Sequence, residues 1–266
     1  MWTRRYDTCM NEHDTLLIDP RSFSGGDPRT ERQYKTRGKI RFHVDAADVV
    51  GLLCVHEAKQ GGSSRIASSV SAYNELLRRR QTPSTQDSAP VLTESGREQL
   101  QQLFQPILLD ARGTGGIQTL SVAPIRYSSH GVLRTFFHAE YFQSAYNYPD
   151  SPQPSPELLS LLREYEDILN SDKFALDMQF LEGDVQLLNN HQIVHSRTAF
   201  VDHDQPDRRR HLLRLWLSLD EHLGVTDLTS IDSLRDWVSR EKERLCFISM
   251  LIKKKLGAFA QRIWTK

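Results

Sequence analysis

Cysteine is scarce in this chain: Cys9, Cys54 and Cys246 are the three in 266 residues. Their odd number and wide spacing exclude a disulfide framework and fit a reducing compartment. Charge of one sign is also lacking. Lys plus Arg and Asp plus Glu both number 34, so the formal net charge is zero, and no arginine-aromatic stripe suggests a nucleic-acid groove. The opening residues, MWTRRYDTCMNEHDTLLIDP, contain no apolar run of leader length. The longest near-apolar stretch, Leu245 to Ile252, is too short to span a bilayer. No homopolymer tract and no internal repeat are visible. The expectation is a soluble, cytoplasmic, globular protein with one core domain.

What is present reads mostly as short strands. Residues 1–42 are polar, rich in arginine and glycine, and carry little periodicity. FHVDAADVVGLLCV, 42–55, is apolar and β-branched enough for one buried strand. A Gly-Gly turn follows at 60–64, then a strand around Ile66. A helix is expected over 71–80, with Tyr73, Leu76 and Leu77 on one face and serines to cap it. A Pro/Ser/Thr loop occupies 81–96, and a short helix falls near 98–104. Residues 107–142 suggest two or three strands with turns at 113–116 and 128–131. SPELLSLLREYEDILN, 155–170, is the clearest helix, with proline in its first turn and Leu158, Leu161, Leu162, Tyr165 and Ile168 along one face. DMQF, GDVQLLNN, IVHSRTAF and HLLRLWLSL are four further strand-like runs. Many short strands with few helices argue against a parallel α/β fold and for a sandwich or jelly roll with helices outside.

The candidate chemistry starts at His43-Val44-Asp45. Side chains two apart on a strand share a face at roughly 6.5–7 Å, which lets an imidazole and a carboxylate converge on one ion. The pattern alone is weak. A second one exists, His138-Ala139-Glu140, and a polar pair at a strand end is the ordinary reading of either.

Two longer blocks give the first pair its context. HVDAADVVGLLCVHEAKQGGSSRIASSVSAYNELLRR and GDVQLLNNHQIVHSRTAFVDHDQPDRRRHLLRLWLSL resemble the two ligand-bearing segments of the TauD/TfdA-like (taurine dioxygenase) family, in the family's order. Asp45 and His195 stand 150 residues apart. The resemblance covers roughly 42–220 and implies a mainly β fold with flanking helices, a double-stranded β-helix (jelly roll) of the clavaminate synthase-like kind. It implies that His43, Asp45 and His195 hold Fe(II), and that Arg210 anchors the distal carboxylate of the cosubstrate 2-oxoglutarate. Ser64 matches a hydroxyl touching that carboxylate, and Arg214 a position near cosubstrate or substrate. The implied reaction consumes O2, releases succinate and CO2, and oxidises a small organic molecule. An alanine or glycine in place of Asp45 would instead have suggested a halogenase. His138 and Glu140 match no family ligand and read as structural.

Periodicity supports the arginines separately. In RHLLRLWL, Arg210, Leu212, Arg214 and Trp216 share one strand face. Charges on a core-like strand need an anionic partner or water, and the alternative is that one or both arginines pair with protein carboxylates. Three segments are therefore expected: an irregular, shortened N-terminal segment at 1–42, a jelly-roll oxygenase domain at 43–220 and a helical extension at 221–266. Fewer residues precede His43 than is usual in the family, so a second reading stands: a catalytically impaired or truncated jelly roll acting as a binding module. Leu234, Val238, Leu245, Ile248, Ile252, Leu256, Phe259 and Ile263 form a helical stripe interrupted by Lys253 to Lys255. That stripe suits docking on its own domain or on a second subunit in a homo-oligomer, with a membrane surface as the sharper alternative.

Overall fold

The computed structural model describes residues 36–84, 89–111, 118–128 and 131–217. Residues 1–35, the turn expected at 113–116 and the extension at 221–266 lie outside the described residues.

Two antiparallel sheets make the frame. The first has the order β1 (Ile40–His43), β11 (Ile193–Arg197), β4 (Ser64–Ser68), β9 (Ala175–Met178). The second has the order β10 (Val185–Asn189), β2 (Val49–His56), β13 (His211–Leu217). Neighbours distant in sequence lie side by side in both, as a jelly roll requires. Ser64 on the first sheet donates its hydroxyl to Gln186 Oε1 on the second, 3.2 Å away, so the two inner faces look at each other. The fold is mainly β with flanking helices, as the sequence leads one to expect.

Helices cover the outer face of the first sheet. Helix α1 (Ser69–Arg79) begins where β4 ends, its first turn capped by the Ser68 hydroxyl, which accepts from Ser71 N. Helix α4 (Pro156–Asn170) has Ser155 as its cap, accepting from Leu158 N, and proline in the first turn. Such a cap contributes about 1 kcal/mol. Leu158, Leu161, Tyr165, Ile168 and Leu169 are buried along α4 and join Phe42, Val44, Ala67, Val194 and Leu76 in one core. Phe42 and Val194 are chain neighbours of His43 and His195, and strand alternation sends the histidines to the opposite, inner face. The core that holds the sheet thus also aims the ligands.

Between α1 and α4 run α2 (Glu94–Gln101), the hairpins β5 (Ile107–Asp110) with β6 (Thr119–Val122) and β7 (Ile125–Tyr127) with β8 (Leu133–Thr135), and helix α3 (Ala139–Ser144). The short strands β3 (Gln60–Gly61) and β12 (Phe200–Val201) pair beside the sandwich.

Two expectations need correction. The single strand over 42–55 is two strands in different sheets: the chain leaves β1 at His43, turns through Val44–Asp48 and enters β2 at Val49. Alanine and aspartate at 45–48 are poor strand formers, and their polar groups find partners outside any ladder. The run ending at Phe142 is not strand throughout. AEYFQS is helical, and His138 caps it by accepting from Tyr141 N at 3.3 Å.

The second sheet carries apolar side chains on its outer face as well as its inner one. Val185, Leu53 and Leu213 lie abreast on its outer face, and so do Leu187, Gly51 and Leu215. Val185 and Leu187 are exposed there. No helix among the described residues is long and apolar enough to cross a membrane.

Candidate metal centre

The register of β1 against β11 sets His43 opposite His195. Two histidines 152 residues apart in sequence become cross-strand neighbours, with ring centroids 4.2 Å apart. Asp45 completes the group from the turn that follows. His43 Nε2 stands 3.9 Å from Asp45 Oδ1, and His195 Nε2 stands 3.7 Å from Asp45 Oδ2. One ligand atom from each residue lies within 4.8 Å of the other two. All three are nearly inaccessible to solvent.

The turn that carries Asp45 is anchored by residues the sequence reading missed. Asn190 donates from Nδ2 to the carbonyls of Asp45, at 2.5 Å, and Ala47, at 2.6 Å. Its Oδ1 accepts from Asp45 N at 3.0 Å, and its own backbone N–H bonds to Asp48 O. Next to it the His191 ring nitrogen Nε2 meets Asp48 Oδ1 at 2.7 Å, both side chains buried. Asn190 thus satisfies three backbone groups that a chain crossing between sheets would leave unpaired. The signal was the run Asn189-Asn190-His191 after a strand, polar residues too short in extent to carry a period.

The charge states suit a metal. Burial pushes the Asp45 carboxyl up, but Arg214, His195, His43 and the Trp216 N–H outweigh it and hold it at about 2. Burial, and then the neighbouring His43, pull His195 down to about 3. Burial lowers His43 too, against the pull of Asp45. Near neutral pH the group is one carboxylate and two neutral imidazoles, each with a lone pair to give. His43 donates from Nδ1 to the Arg41 carbonyl at 3.0 Å, which turns Nε2 toward the centre. His195 Nδ1 is buried without a hydrogen-bond partner. Two histidines and one carboxylate on one side of an ion, with the rest of its sphere open, fit a non-haem Fe(II) site.

The other expected residues fall in two places. Arg214, on the inner face of β13, reaches the metal group: its Nη1 is 3.3 Å from Asp45 Oδ1. Pairing with a protein carboxylate, the alternative left open for it, is what the structure has. Trp216, on the same face, donates from Nε1 to Asp45 Oδ2 at 3.1 Å. Periodicity placed Trp216 on this face without giving it a role.

Arg210 lies one residue before β13, whose register slips between His211 and Leu212. Its side chain lines a cleft with Cys54, Gly62, Phe180 and Leu212. It donates to the Gly62 carbonyl at 3.4 Å and stacks on the Phe200 ring, 5.1 Å from the centroid, while Arg197 lies 4.7 Å from the same centroid. Among the described residues no carboxylate comes within ion-pair distance of the Arg210 guanidinium. Burial lowers it to about 10, the mark of a buried cation short of anions. Gly62, at φ +74°, makes room: a Cβ there would lie 2.9 Å from Arg210 Nε. Ser64 is buried and gives its hydroxyl to Gln186. His138, set aside as structural, caps α3 and stacks on Tyr141, and its ring centroid is 5.0 Å from that of His43.

Comparison with known proteins follows the same lines. The model of the "Taurine catabolism dioxygenase TauD, TfdA family" matches residues 4–216. FR-33289 synthase from Streptomyces rubellomurinus is 29% identical over 219 residues, 80% of this chain and 60% of that protein. The taurine hydroxylase-like protein SAT17 from Stachybotrys chartarum is 28% identical over 191 residues, 70% of this chain and 43% of that protein. The chain therefore spans less than two thirds of these relatives. Among solved structures, asparagine oxygenase in complex with Fe(II), 2S,3S-3-hydroxyasparagine and succinate superposes with a TM-score of 0.55 at 16% identity, covering 81% of this chain and 61% of that one. A second structure of asparagine oxygenase gives 0.52. At that identity the likeness shows the fold, the jelly roll.

Proposed function

The chain belongs to the TauD, TfdA family, and from that premise we propose that it is an Fe(II)- and 2-oxoglutarate-dependent dioxygenase acting on a small organic substrate. The observation that carries the reading is the convergence of His43, Asp45 and His195 in one buried group with the charge states a metal needs. In this proposal those three residues hold the iron. Bound Fe(II), with 2-oxoglutarate and O2, supplies an oxidative decarboxylation that yields succinate, CO2 and an oxidised substrate.

The chain's own residues do the positioning. Arg210 offers a planar fork to the distal carboxylate of 2-oxoglutarate, and its lack of a carboxylate partner among the described residues supports that role. Ser64, two residues beyond Gly62 in sequence, would turn its hydroxyl from Gln186 to the same carboxylate in this reading. Arg214 stands at the metal carboxylate and faces whatever binds beside it. The low exposure of the site keeps water from competing with the bound cosubstrate.

The oxygenase domain in this reading is 43–220, with 1–42 and 221–266 as accessory segments. Sparse cysteine supports a cytoplasmic location. The apolar outer face of the β10-β2-β13 sheet supports cover by another surface, either the C-terminal stripe or a second copy in a homo-oligomer.

The purified 266-residue chain given Fe(II), ascorbate and 2-oxoglutarate should release succinate even without a substrate, and omission of iron should stop it. No succinate above the metal-free blank, with no iron bound, would favour the binding-module reading instead.

A further inference from the structure

The metal group is closed on one side by a residue that is neither a ligand nor part of the arginine pair. Trp216 sits on the inner face of β13, opposite Val50 of β2. It is two residues beyond Arg214, so both side chains point between the sheets. Its indole N–H donates to Asp45 Oδ2 at 3.1 Å. Its ring lies beneath the Arg214 guanidinium, with 4.8 Å from the cation to the ring centroid, and Arg214 in turn meets the other oxygen, Oδ1, at 3.3 Å. One side chain thus bonds one carboxylate oxygen and stacks under the group that bonds the other.

The Asp45 carboxylate has two ways to go wrong. Its side chain leaves the backbone in a turn rather than a strand, and rotation about the Cβ–Cγ bond is soft. Asn190 fixes the Asp45 backbone but does not set that rotation. Arg214 does so weakly, since its Nη1 is nearly equidistant from the two oxygens, 3.3 and 3.5 Å. A single indole N–H has one direction and one acceptor, and indole can only donate. We infer that Trp216 is a positioning residue of the metal centre: its N–H on Asp45 Oδ2 fixes the rotation of the carboxylate that meets His43 and His195. The inference rests on the metal reading proposed above. Partners that orient ligating carboxylates typically contribute 10- to 100-fold in metal affinity.

The test uses the full chain and Mn(II) as the probe, with the dissociation constant read from the free-ion signal in electron paramagnetic resonance. Trp216→Phe removes the N–H and keeps most of the packing. It should weaken Mn(II) binding by about tenfold or more, while the melting temperature of the metal-free protein stays close to wild type. His195→Ala serves as the reference that loses the site. If W216F binds Mn(II) like wild type while H195A does not, the inference fails and the metal reading stands. If H195A also binds like wild type, the metal reading itself fails. A second measurement needs no variant. In 15N-tryptophan-labelled protein, the Trp216 indole proton should be protected from exchange and should shift on addition of Zn(II). An indole proton that exchanges freely and does not respond to the metal would overturn the inference even if W216F proved too unstable to assay.

Discussion

Between His43 and Asp48 the polar groups find their partners inside the protein: Asn190 on three backbone groups, His191 on Asp48, Arg41 on the His43 ring, and Arg214 with Trp216 on Asp45. At the head of β13 the case is reversed. The Arg210 guanidinium is buried, stacked on Phe200 and bonded to the Gly62 carbonyl at 3.4 Å, and burial lowers its pKa to about 10. The first region is finished from within; the second leaves a buried guanidinium with no carboxylate at ion-pair distance among the described residues. In the proposed function the first region pre-organises the metal ligands and the second receives the anionic cosubstrate.

The comparison breaks most visibly at His195. His195→Ala removes the proposed ligand that β11 sets opposite the first region, so turnover should vanish, as measured by succinate release. Full activity in the variant would leave the first region without a function. In the second region, Arg210→Ala should raise the concentration of 2-oxoglutarate needed for half-maximal rate by roughly ten- to a hundredfold, the loss of one charge-assisted pair at about 1.5–3 kcal/mol. Iron affinity should be unchanged, because Arg210 touches none of the three ligands. A variant that loses iron and cosubstrate together would erase the distinction between the two regions.

Asn190→Ala sharpens the comparison from the folding side. It strips partners from Asp45 N, Asp45 O and Ala47 O, and each buried group left unsatisfied costs about 1–3 kcal/mol. The melting temperature should fall by several degrees, and a variant as stable as wild type would show that water or backbone movement replaces the amide. A milder effect follows from acid. His195 is held at about 3 in the folded protein against 6.5 ordinarily, so between those values the unfolded chain takes up a proton that the folded one does not. Stability of the metal-free protein should decline as pH falls from about 6.5 toward 3, and a flat denaturation midpoint over that range would contradict the burial assigned to His195. The smallest effect is expected from deleting 231–266: lower solubility or melting temperature with the metal ligands intact. A truncated protein equal to wild type would mark that segment as dispensable.

How far the sequence spoke depends on the kind of signal. The convergence of His43, Asp45 and His195 was legible because they sit in two long blocks with family-like spacing, and α4 because its cap, proline and apolar stripe agree with one another. The break between β1 and β2 was not, since Phe42 to Val55 has the composition of one strand and only the ladders divide it between two sheets. Helix α3 was hidden for a related reason: six residues are too few for periodicity to tell helix from strand. Asn190 and His191 act from a turn, where no period exists, and Trp216 was placed on the correct face while the partner of its N–H, 171 residues away in sequence, could not be read from the strand alone.

The central claim is that His43, Asp45 and His195 form one metal site. Anaerobic calorimetric titration of Fe(II) into wild type and the three single alanine variants addresses it directly. Wild type should bind one equivalent, and each of H43A, D45A and H195A should lose most of that affinity. A variant that binds one equivalent as tightly as wild type would remove its residue from the site and contradict the account.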